Sequence, residues 1–315
     1  SQAEACALVR RAYEAGINYF DTANAYTDSE EKLGEALHDV RQNVVISTKS
    51  GGKDKKTVLA HIEQSLRSLR TDYIDLFQFH NPAVLPDPND PDGPFAAALE
   101  MQKKGYIRHI GITNHRMKVA REAIDSGLYE TLQFPFCYLA SEEEVELVRL
   151  CQEKDLGFIA MKGLSGGLLN NAEACYAFMR QYPNVVPIWG IQHEWELDQW
   201  LELSRRDPAM TPELQAVIEH DRSELAGNFC RSCGYCLPCT AEIDIPQAAR
   251  MSALLRRSPY RPYMSDEWHE KMHRIEECVH CDACKSRCPY GLDIPNLLVK
   301  MLADYDAFYA QHHGE

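Results

Sequence analysis

Between residues 17 and 204, short apolar runs alternate with stretches of helical periodicity, and no other feature restricts the fold as much. Strand-like runs lie near 17–21, 43–48, 72–79, 107–113, 131–136, 157–162 and 185–190. Helical spacing of apolar residues marks 29–38, 55–69, 94–104, 116–126, 141–154, 172–181 and 194–204. A strand that returns through a crossover helix runs parallel to its predecessor, so the pattern predicts an α/β protein with a parallel sheet. The series opens on a further helix, 2–15, stopped by Gly16. Closing such units into an eight-stranded barrel takes one strand more than these runs supply, and that strand is expected before Ser1.

Parallel βα barrels carry their chemistry at the carboxyl ends of the strands. The run Ile17-Asn18-Tyr19-Phe20 leads into DTANAYTDSE (21–30), which brings Asp21 and Tyr26. NVVISTK ends in Lys49, and DYIDLFQFH ends in His80. An acid, a phenol, an ammonium and an imidazole suit reduction of a carbonyl by hydride. The developing alkoxide needs a proton, and a tyrosine hydroxyl with a pKa near 10 is a weak donor alone. A neighbouring ammonium favours the phenolate and lowers that pKa, a carboxylate holds the ammonium in place, and the imidazole can orient the carbonyl oxygen. In spacing and flanking residues the quartet resembles the aldo-keto reductase family, where DTA-x-x-Y, a strand-end TK and a strand-end His form the catalytic tetrad. The resemblance implies an (α/β)8 TIM barrel and catalytic roles for Asp21, Tyr26, Lys49 and His80. It also implies a small-molecule carbonyl substrate and a nicotinamide cofactor, NADP or NAD.

The same resemblance assigns cofactor contacts to other strand ends. In GYIRHIGITN (105–114) it implies that Thr113 and Asn114 bind the nicotinamide carboxamide, with Gln133 of TLQFPF beside them. In AMKGLSGGLL (160–169) it puts Met161 on the nicotinamide face and Lys162, Gly163, Leu164, Ser165 and Gly166 near the pyrophosphate. A Gly-rich turn before a helix suits an anion because its free N–H groups point outward. The last strand end departs from the family pattern. Where a 2′-phosphate clamp is expected, VVPIWGIQHEWELDQW (185–200) offers Trp189, Ile191, Gln192, His193, Glu196, Gln199 and Trp200, with no Arg or Lys. Phosphate recognition favours a cationic fork, so the choice between NAD and NADP stays open. The acidic, Pro-rich stretch 81–94 follows His80 and is either a wall of the substrate pocket or a solvated loop.

Past residue 225 the composition changes, which divides the chain into a barrel (1–225) and a small second domain (226–315). Eight of the twelve cysteines fall in two groups: Cys230, Cys233, Cys236 and Cys239, then Cys278, Cys281, Cys284 and Cys288. The second group, followed by Pro289, matches the bacterial ferredoxin run C-x2-C-x2-C-x3-C-P. Zinc favours separated pairs, and disulfides belong to small secreted domains; equally spaced triplets fit neither. The expectation is a ferredoxin-like α-helical domain with two [4Fe–4S] clusters. EIDIP (242–246) and GLDIP (291–295) repeat after the two groups, and this pseudo-symmetry implies cross-ligation. One cluster takes Cys230, Cys233, Cys236 and Cys288; the other takes Cys278, Cys281, Cys284 and Cys239. The first group departs from the ferredoxin run, since its last spacing is shorter and Thr240 replaces the Pro. Cys6, Cys137, Cys151 and Cys175 read as small buried hydrophobes.

A formal charge of −14 argues against nucleic-acid or anionic-membrane partners, and no apolar run is long enough to span a bilayer. The expected setting is cytoplasmic. Besides a binding or regulatory subunit that keeps the tetrad without using it, two functions fit these features. One is a carbonyl-reducing or alcohol-oxidising enzyme whose clusters carry electrons or staple the fold. The other is an electron-transfer component that delivers electrons to a ferredoxin or other redox partner, with the barrel as a docking or regulatory module.

Overall fold

The computed structural model describes residues 1–225 and 229–313. The domain boundary expected between 225 and 226 therefore abuts residues outside the described ones. Seven parallel strands follow one another as neighbours in a single sheet: β1 (Tyr19–Asp21), β2 (Val45–Ser50), β3 (Ile74–His80), β4 (Ile107–Thr113), β5 (Thr131–Pro135), β6 (Gly157–Met161) and β7 (Val185–Pro187). Helices α1 (Gln2–Glu14), α2 (Ser29–Leu37), α3 (Lys55–Ser68), α4 (Pro94–Lys103), α5 (Met117–Ser126), α6 (Glu142–Glu153), α7 (Ala172–Met179) and α8 (Glu194–Arg206) alternate with them. Then come α9 (Pro212–Glu224), α10 (Ile245–Ala248), α11 (Met251–Arg257), α12 (Asp266–His273), α13 (Ala283–Arg287) and the long α14 (Ile294–His312).

The alternation read from the sequence is the alternation observed. β1 and β7 are its short members, three residues each, and they form the two edges of the sheet. β3 is buried along almost its whole length, as expected of a central strand in a parallel sheet. Local signals set the helix ends. Ser1 with Glu4 and Ser141 with Glu144 form reciprocal capping boxes, and Gly127 ends α5 in a left-handed conformation at φ 64°. Helix α9 was not expected from periodicity, although Thr211 at the cap and Pro212 in the first turn are a start signal.

By packing, the chain forms two compact units. Residues 1–136, 140–161 and 179–208 make the first; 137–139, 162–178 and 209 onward make the second. In the first unit, Ala12 of α1 packs with Leu197 and Leu201 of α8, while Leu33 and Leu37 of α2 close over Ile46 of β2. In the second, Ile243, Ile245, Met251, Leu298 and Tyr305 share one apolar core, and the Tyr305 hydroxyl donates to Tyr263 O at 2.8 Å. Buried Asp221 of α9 accepts from the Tyr138 hydroxyl and, at 2.5 Å, from Arg257. Of the four cysteines outside the two groups, Cys151 and Cys175 are buried as expected, but Cys6 and Cys137 are only partly so.

Candidate active site and cysteine cradles

The register of the sheet assembles the strand-end residues. Asp21 is the register partner of Ser47, and Lys49 stands one pleat repeat further along the same face of β2. The Lys49 ammonium donates to Asp21 Oδ2 at 2.5 Å and to Thr22 O at 2.6 Å, and its side chain is 1% exposed. Tyr26 comes from the turn after β1. Lys49 Nζ lies 5.3 Å from the Tyr26 ring centre, and the ring meets His80 edge-on at 5.7 Å. Asp21 Oδ1 is buried without a hydrogen-bond partner among the described residues. All four expected residues are thus brought together, with Tyr26 still 43% exposed.

Their electrostatics differ from the sequence reading in one respect. Burial, helped by the charge on Asp21, pushes Tyr26 up to about 12, whereas a lowering by Lys49 was expected. The physical reason is burial, which disfavours the charged phenolate, with the Asp21 carboxylate adding to it. Burial, then the charge on Lys49, pulls His80 down to about 4. At neutral pH the site therefore holds a protonated phenol and a neutral imidazole. Burial lowers Lys49 while Asp21 opposes the shift.

His80 pairs in register with Thr113, and Thr113 with Gln133. The Asn114 side chain is engaged locally, donating to Pro82 O at 2.8 Å and accepting from the backbone of His115 and Arg116. Thr113 Oγ1 accepts from Asn81 N at 3.2 Å. Gln133 Oε1 accepts from Gln78 Nε2 at 2.8 Å, while its own amide nitrogen faces Met161 Sδ at 3.9 Å. Gln133 is thus the better-prepared donor for a carboxamide. Sequence reading missed Gln78, which also donates to Ser47 Oγ at 2.8 Å and ties three strands together beneath the site. Its position two residues before His80, on the same face of β3, was the available signal.

The segment Lys162, Gly163, Leu164, Ser165 and Gly166 belongs to the second unit. Lys162, Ser165 and Gly166 have φ of 62°, 49° and 68°, and Leu164 O accepts from Gly167 N. Lys162 Nζ donates to Ser232 O at 3.1 Å, and Arg250 Nη1 donates to Gly166 O at 2.6 Å. A Cβ at position 166 would come within 2.9 Å of that guanidinium, so glycine permits the approach. Both cations interact with the Cys230 thiol, and Lys162 also with Cys233. Arg250 was not singled out by any motif.

The two cysteine groups share one backbone form. Ser232 and Gly234 in the first have φ of 50° and 80°; His280 and Asp282, at matching places in the second, have 51° and 55°. Glu242 and Gly291, which open the repeated phrases, are at 53° and 65°. Alternating left-handed residues turn successive N–H groups inward and make an anion-binding nest. One such group, Ser232 N, donates to Cys230 Sγ at 3.4 Å. Cys236 and Cys239 both line a cavity of about 60 Å³ together with Cys278, Cys281 and Cys284. Cys288 does not line that cavity and lies near enough to Cys230 and Cys233 to help push their thiols up, after burial. None of the eight forms a disulfide; Cys230, Cys236, Cys239, Cys278, Cys284 and Cys288 belong to or pack against the apolar core of the unit, while Cys281 is exposed. Free thiols, nests and an apolar shell fit an anionic iron–sulfur cube.

A sequence profile of the aldo/keto reductase family matches residues 1–204. The chain belongs to the aldo/keto reductase family. A 4Fe-4S dicluster domain profile matches residues 229–293, across the two cysteine nests. Among curated relatives, the uncharacterized oxidoreductase YqkF of Bacillus subtilis is 28% identical over 180 residues, covering 53% of this chain and 58% of that protein. Methylglyoxal reductase DkgA of Salmonella typhimurium is 30% identical over 159 residues, covering 50% and 54%. The chain thus spans less than two thirds of the length of these relatives. An aldo-keto reductase from Bacillus halodurans, in its holo form, superposes with a TM-score of 0.61 at 22% identity over 70% of this chain and 88% of that one. One from Klebsiella pneumoniae in complex with NADPH gives 0.60 at 23% over 70% and 84%. Both likenesses concern the fold.

Against the family pattern, the segment after β7 is built for packing. Trp189 stacks on Trp200 with ring centres 3.9 Å apart, and Glu196 accepts from Gln192 N and His193 N to cap α8. Trp200 is buried, and Trp195 is 60% exposed.

Proposed function

We propose that this family member reduces a small-molecule carbonyl, or oxidises the matching alcohol, using NADP or NAD, with two [4Fe–4S] clusters in its second unit. The observation that carries the reading is the buried Lys49–Asp21 pair beside a protonated Tyr26 and a neutral His80. A bound dihydronicotinamide would supply the hydride. Gln133 would hold its carboxamide and Met161 its face, with Thr113 and Asn114 completing the rim. The segment from Lys162 to Gly166 would lie toward the phosphates. His80 donates a hydrogen bond to the carbonyl oxygen and fixes its approach. Tyr26 gives its proton to that oxygen as negative charge builds there. The Lys49 ammonium stabilises the phenolate left behind, and Asp21 keeps the ammonium charged and in place.

The shared backbone form of the two nests, the place of Cys239 beside Cys278, Cys281 and Cys284 in a cavity that Cys236 also borders, and the nearness of Cys288 to Cys230 and Cys233 support the crossed ligand sets, Cys230, Cys233, Cys236 and Cys288 against Cys239, Cys278, Cys281 and Cys284. Eight thiols kept free for iron fit a reducing, cytoplasmic setting, and no described helix is long and apolar enough to cross a membrane. A second reading, an electron-transfer component serving a ferredoxin or other redox partner, is favoured by the stacked tryptophans where family members clamp the 2′-phosphate. Tyr26→Phe separates the two. It removes the proton donor and should lower carbonyl reduction about a hundredfold or more, with cluster absorbance unchanged. Wild-type reduction rates in this variant would remove the tetrad reading.

A further inference from the structure

The sequence of α12, Asp266–His273, contains His269-Glu270-Lys271-Met272-His273. Histidines four apart lie on one face of a helix, the spacing by which H-E-x-x-H segments present two imidazoles to one metal ion. Here the two rings are 4.4 Å apart, and the face they share meets α14. From α14, Asp306 places Oδ1 3.1 Å from His273 Nε2, and the Tyr309 ring lies 4.5 Å from His269. One donor atom from each of His269, His273 and Asp306 lies within 4.8 Å of the others. The opposite nitrogen of His273, Nδ1, is 3.3 Å from Glu276 Oε2.

We propose that His269, His273 and Asp306 bind a divalent transition-metal ion of the zinc type, separate from the cysteine cradles, which ties α12 to α14. Two imidazoles and a carboxylate are the donors such an ion prefers, whereas the cradles offer thiolates alone. A tetrahedral ion about 2.0–2.1 Å from each donor holds them roughly 3.3 Å apart. His273 and Asp306 already stand at that spacing, and rotation of the His269 ring closes the remainder. Glu276 supplies the carboxylate that orients a metal-bound histidine: by accepting from Nδ1–H, it leaves the Nε2 lone pair facing Asp306. All three ligating residues are half-buried, so one coordination position stays open to water.

The test uses the holoprotein with its clusters intact, purified without oxygen and stripped of loosely bound metal by a chelator. Zinc chloride is titrated calorimetrically while iron content and visible absorbance are followed. The expected result is one zinc per chain, no loss of iron, and a rise in the unfolding temperature of the second unit. His273→Gln and Asp306→Asn should weaken uptake at least about tenfold, and Glu276→Gln should weaken it less. Because Glu276 is exposed, that last variant tests the site without disturbing the core. No saturable uptake by about 0.1 mM zinc, uptake only as iron is lost, or equal uptake in all three variants would overturn the proposal.

Discussion

Lys49 has little access to water, its charge is met by Asp21 and the Thr22 carbonyl, and the two proposed catalytic groups beside it, Tyr26 and His80, are shifted from their ordinary ranges. With His80 lowered to about 4 and Tyr26 raised to about 12, both keep one protonation state across neutrality. The pH profile of kcat/KM for carbonyl reduction should accordingly be flat from about pH 6 to 9; an inflection near 6.5, the free-histidine value, would show His80 unperturbed. The sign for stability follows from the same shift. Between about 4 and 6.5 the unfolded chain binds the proton that folded His80 refuses, so His80 adds stability as pH rises through that window and nothing further above it. In the second unit, Lys162 and Arg250 bring positive charge to Cys230. A cation beside an anionic cube favours its reduced form. Lys162→Met should therefore move one of the two cluster potentials more negative by on the order of 60 mV, the one-electron equivalent of about 1.4 kcal/mol. A paramagnetic-resonance redox titration reads this directly, and equal shifts in both clusters would contradict the assignment.

The elements owe their positions to a few tight approaches. A Cβ at Gly34 of α2 would fall 2.3 Å from Ser68 O and 2.7 Å from Leu69 C, both backbone atoms at the end of α3. Alanine gains in helix propensity at this position, but the overlap is with backbone that has no rotamer to yield. Gly34→Ala should destabilise by about 1–3 kcal/mol in urea unfolding, the usual scale of overpacking. A gain in stability would mean that α2 and α3 can separate at no cost. Elements also explain what the sequence concealed. Neither α9 nor the shortness of β7 has a strong periodic signature, because α9 carries a modest apolar stripe and β7 lies at the sheet edge.

For the molecule as a whole, the deciding question is how electrons are routed. Full assembly should give about eight irons per chain. With crossed ligands, Cys288→Ser should damage the cluster held by Cys230, Cys233 and Cys236 and spare the one near its own sequence neighbours; resonance spectra of the reduced variant identify which signal is lost. Loss of the signal assigned to Cys278, Cys281 and Cys284 would show uncrossed ligation. Anaerobic titration with NADH and NADPH, followed by cluster bleaching, then tests whether hydride chemistry feeds the clusters.

Strand-end Asp21, Lys49 and His80, the βα alternation and the paired cysteine triplets were legible in the sequence because each is a matter of spacing along the chain. Spacing fixes which residues share a strand face or turn toward one centre. Contacts between distant segments carry no such local mark. That Gln78 joins Ser47 to Gln133, that Arg250 approaches Gly166, and that Asp306 faces His273 became visible only when packing placed those segments side by side. The same holds for the direction of the Tyr26 shift. The chain supplied the phenol and the ammonium, but burial and the nearby charge of Asp21 belong to the tertiary structure, and they decide which way the proton is held.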